Sequence, residues 1–163
     1  MRILLFLLTL MLSACGFKPS NVIKLSQVQT PFSVSAKNSY SNLADNIERT
    51  LSSGGAQIAR AGEASNVISI SKELLKTEAL SLDQNAQVRE YVMHYRVVYS
   101  LVDVSGKTLI DNQVVELRRD FSYDVNTSAG SPAEQELLKR EMQTEMIQSI
   151  LRRSSIVLQA QAK

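Results

Sequence analysis

His94 is the only histidine in a chain of 163 residues, and Cys15 the only cysteine. A lone histidine makes no multi-histidine metal site, and without a nucleophile motif it makes no triad. The carboxylates Glu90, Asp111, Glu116 and Asp120 are the candidates for acid/base work. They are scattered along two segments with Arg96 and Arg118 among them, the pattern of a solvated face. "GGAQIARAG" lacks the strand-to-helix setting of a phosphate cradle and reads as a helix end and loop. Met142 and Met146 read as core. The residues left with chemistry to offer are cations: Arg96, Arg118, Lys72 and Arg119. A guanidinium grips phosphate or carboxylate with two parallel hydrogen bonds. The same residues in cross-strand ion pairs would be ordinary surface, each pair worth under about 1 kcal/mol. The sequence leaves both readings open.

Cys15 asks for another chemistry. Arg2 is a short basic start, and Ile3 to Leu12 is apolar apart from Thr9. That is the length of a signal-peptide core and too short for a spanning helix, which needs about 20 apolar residues. Leu12-Ser13-Ala14-Cys15 resembles a bacterial lipobox. It implies cleavage before Cys15 and acylation of its thiol and new amino group. A chain so modified is anchored without spanning, since each buried CH₂ adds about 0.8 kcal/mol and two chains suffice for stable anchoring. Gly16 stands where an Asp would resemble an inner-membrane retention signal, which favours the outer membrane.

Residues 1–14 are thus expected to be a lipoprotein signal peptide and 15–21 a lipidated tether. Residues 22–154 are expected to form a single domain, and 155–163 a flexible tail. The chain is 44% hydrophobic, enough for a core. With Cys15 acylated no disulfide is available, so packing must stabilise the fold. The net charge of +2 falls by one when Arg2 leaves with the leader. That excludes a strongly basic nucleic-acid binder.

The elements that must position the cations follow from periodicity. Val22 to Thr30 reads as a first strand ending at Pro31, and "PFSVSAKNSY" as a loop with at most a short extended piece. Leu43, Ile47 and Leu51 recur every four residues and stripe a helix, with Ser41 or Asn42 as cap and Gly54-Gly55 as stop. Asn66 to Leu82 alternates with a slip at Leu74-Leu75, where a bulge is expected. Val88 to Val104 is the clearest strand. Tyr91, Met93, Tyr95, Val97, Tyr99 and Leu101 form its dry face, and Glu90, His94, Arg96 and Ser100 lie on the mixed one. A three-residue turn, Val104-Ser105-Gly106, would put Gly106 in the left-handed conformation. Its register pairs Tyr95 with Val115 and Met93 with Leu117, on a fourth strand from Thr108 to about Tyr123. The last helix opens with a capping box, Ser131 with Glu134, and Pro132 at its first position. Leu138, Met142, Met146 and Ile150 stripe it, widened by Leu137, Ile147 and Leu151. Arg152 and Arg153 close its last turn, with Ser154 onward fraying. The expected fold is α+β: a two-layer sandwich, two helices packed on one face of a four-stranded, mostly antiparallel sheet, in the order β-α-β-β-β-α. Strand order stays open, because the first strand could pair at either edge.

"ACGF" with its leader, "EYVMHYRVVYSLVDVSGKTL", "RRDFSYD" and "AEQELLKREMQTEMIQSILRR" together resemble the lipopolysaccharide-assembly lipoprotein family LptE, also called RlpB. The resemblance implies a non-enzymatic role without cofactor. It implies a partner, the LptD outer-membrane β-barrel, inside which the protein would act as plug and folding partner in lipopolysaccharide insertion. It also implies contact with lipopolysaccharide itself, for which Arg96, Arg118, Lys72 and Arg119 are the candidate residues. Gln84 and Ser131 stand where the family tends to carry basic residues, so the barrel role is implied more strongly than direct binding. Two other classes weigh against this. An auxiliary lipoprotein of a lipid-trafficking ABC transport system would begin with the same leader. A small hydrolase would need a nucleophile with a base in reach, for which no motif exists.

Overall fold

The computed structural model describes residues 28, 30–37, 42–82, 84–122 and 131–161. The expected signal peptide, the expected tether with Cys15 and the capping side chain expected at Ser131 lie outside them. The chain runs β1 (Phe32–Ala36), α1 (Leu43–Ser53), β2 (Asn66–Leu82), β3 (Val88–Val102), β4 (Thr108–Ser122) and α2 (Ser131–Gln161). The strands form one sheet in the order β1-β2-β3-β4. β1 runs parallel to β2, and the β2–β3 and β3–β4 pairs are antiparallel. A parallel pair needs a long crossover, and α1 supplies it. The α+β order β-α-β-β-β-α is as expected.

The first strand lies where a loop was expected. Most of Val22 to Thr30 falls outside the described residues, and Val28 and Thr30 are not in a strand. Phe32–Ala36 is the strand, and Phe32 is fully buried. Pro31 marks the entry to this strand rather than its end, since proline is tolerated at a strand's start. The backbone N–H of Phe32 donates to Gln57 O, and that of Ala59 to Phe32 O, both at 2.8 Å.

One face of the sheet is covered by both helices. Leu43, Ile47 and Leu51 of α1 are fully buried, as their spacing requires. Gly55, at φ 83°, supplies the left-handed residue after the helix. Asn42 precedes α1 without a side-chain capping bond. Met93, Tyr95, Val97, Tyr99 and Leu101 of β3 are buried beneath the helices. Tyr91 is half-buried and stacks on Phe121, with ring centroids 5.5 Å apart. From α2 come Met142, Met146, Ile147, Ile150 and Leu151. Leu137, expected to widen that stripe, is exposed. The helices touch each other where Asn46 Nδ2 donates to Gln143 Oε1 at 3.3 Å.

α2 does not stop at Arg153. It runs to Gln161 and buries Ser154, Ser155 and Leu158. Leu158 continues the four-residue series from Met142, Met146 and Ile150, with Ser154 holding the intervening place. Two serines at core-facing positions broke the apolar period and made the expected end look frayed.

The bulges also moved. In the β2–β3 pairing the irregularities fall at Ser71, between Ile70 and Lys72, and again between Ala79 and Leu82, while Leu74 and Leu75 stay in register with Arg96 and Tyr95. The β3–β4 turn is the expected one: Gly106 has φ 86°, and its N–H donates to Asp103 O at 2.9 Å. Beyond the turn, Leu109 and then Asp111-Asn112 bulge outward, and Asn112 has φ 43°. Each bulge shifts the pairing by one residue. Tyr95 therefore pairs with Leu117 and Met93 with Arg119, not with Val115 and Leu117. A total shift of two preserves the faces, because the side-chain period is also two.

Candidate functional site

The sheet face opposite the helices is uncovered among the described residues, and it holds three of the four candidate cations. Side chains lie in rows across β2, β3 and β4: Lys72, Val98, Val114; then Leu74, Arg96, Glu116; then Lys76, His94, Arg118; then Glu78, Val92, Asp120. Beyond the Lys72 row, at the end of the sheet that β1 joins, the face turns to serines. There Ser35 and Ser69 hydroxyls bond at 3.1 Å, and Ser100 Oγ accepts the Asn112 N–H at 2.9 Å.

Two of the cations in these rows are already neutralised. Lys76 pairs with Glu78, and that hydrogen bond, with the ammonium charge, holds the Glu78 carboxyl below its usual range. Arg118 pairs with Asp120 two residues on, with Nε to Oδ1 at 3.1 Å. His94 stands between Glu116 at 3.8 Å and Glu78 at 4.0 Å. That is a surface histidine among carboxylates. Lys72 and Arg96 have no ion-pair partner among the described residues. They are diagonal neighbours, about 7–8 Å apart by sheet geometry, with Leu74 and Val98 completing the square. Leu74 is 47% exposed. Two unpaired cations beside exposed apolar side chains suit a ligand with an anionic head and an apolar body.

Arg119 does not join them. It occupies a helix-facing register position opposite Met93 and pairs with Glu145 of α2. It clamps helix to sheet at the rim. The sequence register put Arg118 on the mixed face and left the face of Arg119 open; neighbouring residues on a strand face opposite ways, so Arg119 turns to the helices.

On the helix-facing side the buried polar groups are structural. Tyr95 Oη donates to Glu73 at 2.7 Å, and burial, followed by that carboxylate, raises the phenol well above its usual range. Glu73 Oε2 has no partner of its own among the described residues. The hydroxyls of Tyr99 and Ser154 are buried close together without closing a hydrogen bond. Among the described residues no cluster of three or more His, Cys, Asp or Glu side chains could hold a metal ion. No described helix is long and apolar enough to cross a membrane.

One surface was missed in the sequence. Leu109, Val115, Arg152, Arg153, Ile156 and Val157 line an open groove between the outer edge of β4 and the second half of α2. Ile156, apolar and off the buried stripe of α2, was the available signal; the early end assigned to the helix hid it.

The match to family models falls on the same domain. Residues 30–154 match the model described as LptE, lipopolysaccharide-assembly. The chain belongs to the LptE family. Solved lipoproteins share its architecture. Lipoprotein B from Nitrosomonas europaea is 27% identical, with a TM-score of 0.69 over 86% of this chain and 90% of that one. Rare lipoprotein B from Shewanella oneidensis, 22% identical, gives 0.56 over 81% and 93%. A minor lipoprotein from Acinetobacter baumannii, 17% identical, gives 0.63 over 78% and 91%; these last two carry the fold alone. No curated protein sequence matches the chain. Membership in LptE makes this a protein of lipopolysaccharide assembly.

Proposed function

We propose that this LptE-family protein is an outer-membrane lipoprotein, acylated at Cys15, that works without catalysis as the partner of an LptD-type β-barrel. It occupies the barrel lumen from the periplasmic side, plugs it and supports its assembly, and lipopolysaccharide passes into the outer leaflet through the complex. The family match across residues 30–154 carries this reading. The lipobox before Cys15 supports the anchor. The unpaired Lys72 and Arg96 beside Leu74 and Val98 support direct contact with a phosphorylated, acylated ligand. Arg118 could join them by exchanging Asp120 for the ligand's phosphate. Arg119, held by Glu145, has a packing role instead.

The test is a pull-down of the tagged, lipidated protein from detergent-solubilised outer membranes, with co-purifying chains identified by mass. One stoichiometric β-barrel of the lipopolysaccharide translocon is expected. Recovery of inner-membrane transporter subunits instead would transfer the reading to an auxiliary lipoprotein of a lipid-trafficking ABC system. For the anchor, Cys15→Ala is expected to abolish palmitate incorporation; labelling that survives the change refutes the lipobox reading.

A further inference from the structure

The two edges of the sheet are finished differently. β1 is five residues long, and Gln57 and Ala59 bond its outer edge at Phe32. β4 is fifteen residues long, and among the described residues no strand pairs with its outer edge. An exposed edge offers unpaired backbone N–H and C=O groups to any extended chain, and proteins guard against this with bulges and charges. Both guards stand at the ends of β4. Leu109 and Asp111-Asn112 bulge at one end, and Arg118, Arg119 and Asp120 charge the other. Between them Gln113 to Leu117 is regular, with Glu116 its only charge.

A groove of about 840 Å³ runs along Gln113 to Glu116 of this unguarded stretch. That is within the size of ligand sites, roughly 300–1,000 Å³. Val114 and Glu116 line it on the open face, and Val115 on the helix-facing side. α2 adds Ile156, 60% exposed, with Arg152 and Arg153, which have no ion-pair partner among the described residues. A neighbouring strand lies about 4.8 Å away, which places a fifth strand along this groove. Its side chains would alternate between the open face and α2.

We propose that β4, from Gln113 to Leu117, receives an extended peptide segment of a partner protein as a fifth strand. The segment carries an apolar and an acidic residue two positions apart, facing Ile156 and the Arg152-Arg153 pair. Main-chain bonds to β4 provide affinity, and the alternate side chains provide selectivity. The acid must face α2, because Glu116 and Asp111 line the strand side of the groove. The proposal goes beyond the barrel role, since neither the lipid anchor nor lipopolysaccharide enters it.

The probe is a blocked nine-residue peptide in which threonine alternates with valine or glutamate. It is titrated into the full chain in detergent, with amide hydrogen exchange read by NMR. Exchange at the outward-facing amides of Gln113 to Leu117 is expected to slow at least tenfold. Ile156→Asp, and separately Arg152→Glu with Arg153→Glu, should each weaken binding at least tenfold. All three side chains are exposed, and an unchanged spectrum of β2 and β3 confirms that the fold survives. The charge-reversed variant should instead take the peptide with lysine in place of glutamate. The same peptide N-methylated along its backbone should not bind. Equal binding of the N-methylated peptide would overturn strand addition. So would slowed exchange confined to amides outside β4, or no binding at millimolar peptide. Protection of β4 that grows with protein concentration alone would mean that a second copy occupies the edge, and would equally overturn the proposal.

Discussion

Tyr95 and Tyr99 stand four residues apart on one face of β3, and the sequence treats them alike. Their hydroxyls meet different surroundings. Tyr95 donates to Glu73, whereas the Tyr99 hydroxyl is buried without a hydrogen-bond partner among the described residues. Removing a hydroxyl that satisfies a carboxylate costs about 1–3 kcal/mol, while removing an unsatisfied one costs little or stabilises. Tyr95→Phe is therefore expected to lower unfolding free energy by about 1–2 kcal/mol, and Tyr99→Phe by less than about 0.5 kcal/mol, both read from urea denaturation. Equal losses in the two variants would contradict this assignment. The pH dependence follows with its sign. Burial raises the Tyr95 phenol, so the folded protein keeps that proton after the unfolded chain begins to release it near pH ~10. Stability from this group is complete below that pH and declines above it. Tyr95→Phe should flatten the alkaline limb of a stability profile taken from pH 8 to 11.

At the scale of elements, the long helix is where the pattern misleads. A stripe read as apolar ends at Leu151, and the pair Arg152-Arg153 looks like a terminus. The helix continues because Leu158 still finds the core and because Ser154 and Ser155 fit where helix and sheet lie close. Ser155 satisfies itself by donating to Arg152 O at 2.8 Å. Leu158→Ala is expected to cost about 2–3 kcal/mol, the range for a buried leucine with some room to collapse. A frayed end would make the substitution neutral, so one denaturation curve separates the two. The bulges of β4 teach a related lesson. Asn112 takes a left-handed conformation that asparagine tolerates better than most residues, and its N–H is taken by Ser100 Oγ. An alternation pattern carries no sign of such a pair until the partner strand is in place.

For the molecule as a whole, one layer of helices on one face leaves the other face and the β4 edge uncovered among the described residues. The candidate cations then separate by what they touch. Lys72→Ala with Arg96→Ala removes no ion pair among the described residues, so stability should stay within about 0.5 kcal/mol. Binding of purified lipopolysaccharide should fall several-fold, and wild-type binding should weaken with added salt. Arg119→Ala should do the reverse. It loses an exposed helix–sheet pair worth at most about 1 kcal/mol and leaves lipopolysaccharide binding intact. Undiminished binding in the Lys72/Arg96 variant would reduce the open face to solvated surface.

By itself the sequence determined the class of fold, the dry face of β3, the Gly106 turn and the stripe of α1. Each is written in local periodicity or in one residue's backbone preference. It also carried the lipobox-like stretch that ends at Cys15, and enough family character to point to lipopolysaccharide assembly. Tertiary structure alone decided the rest. β1 lies at Phe32–Ala36 because a five-residue parallel strand takes its register from β2, not from its own alternation. The β4 register moved by two because bulges answer to the partner strand. Lys72 and Arg96 came together, and Arg119 was drawn away to Glu145, because cross-strand neighbours are set by pairing between segments distant in the chain. Long-range pairing fixes which charges meet, and no local pattern encodes it.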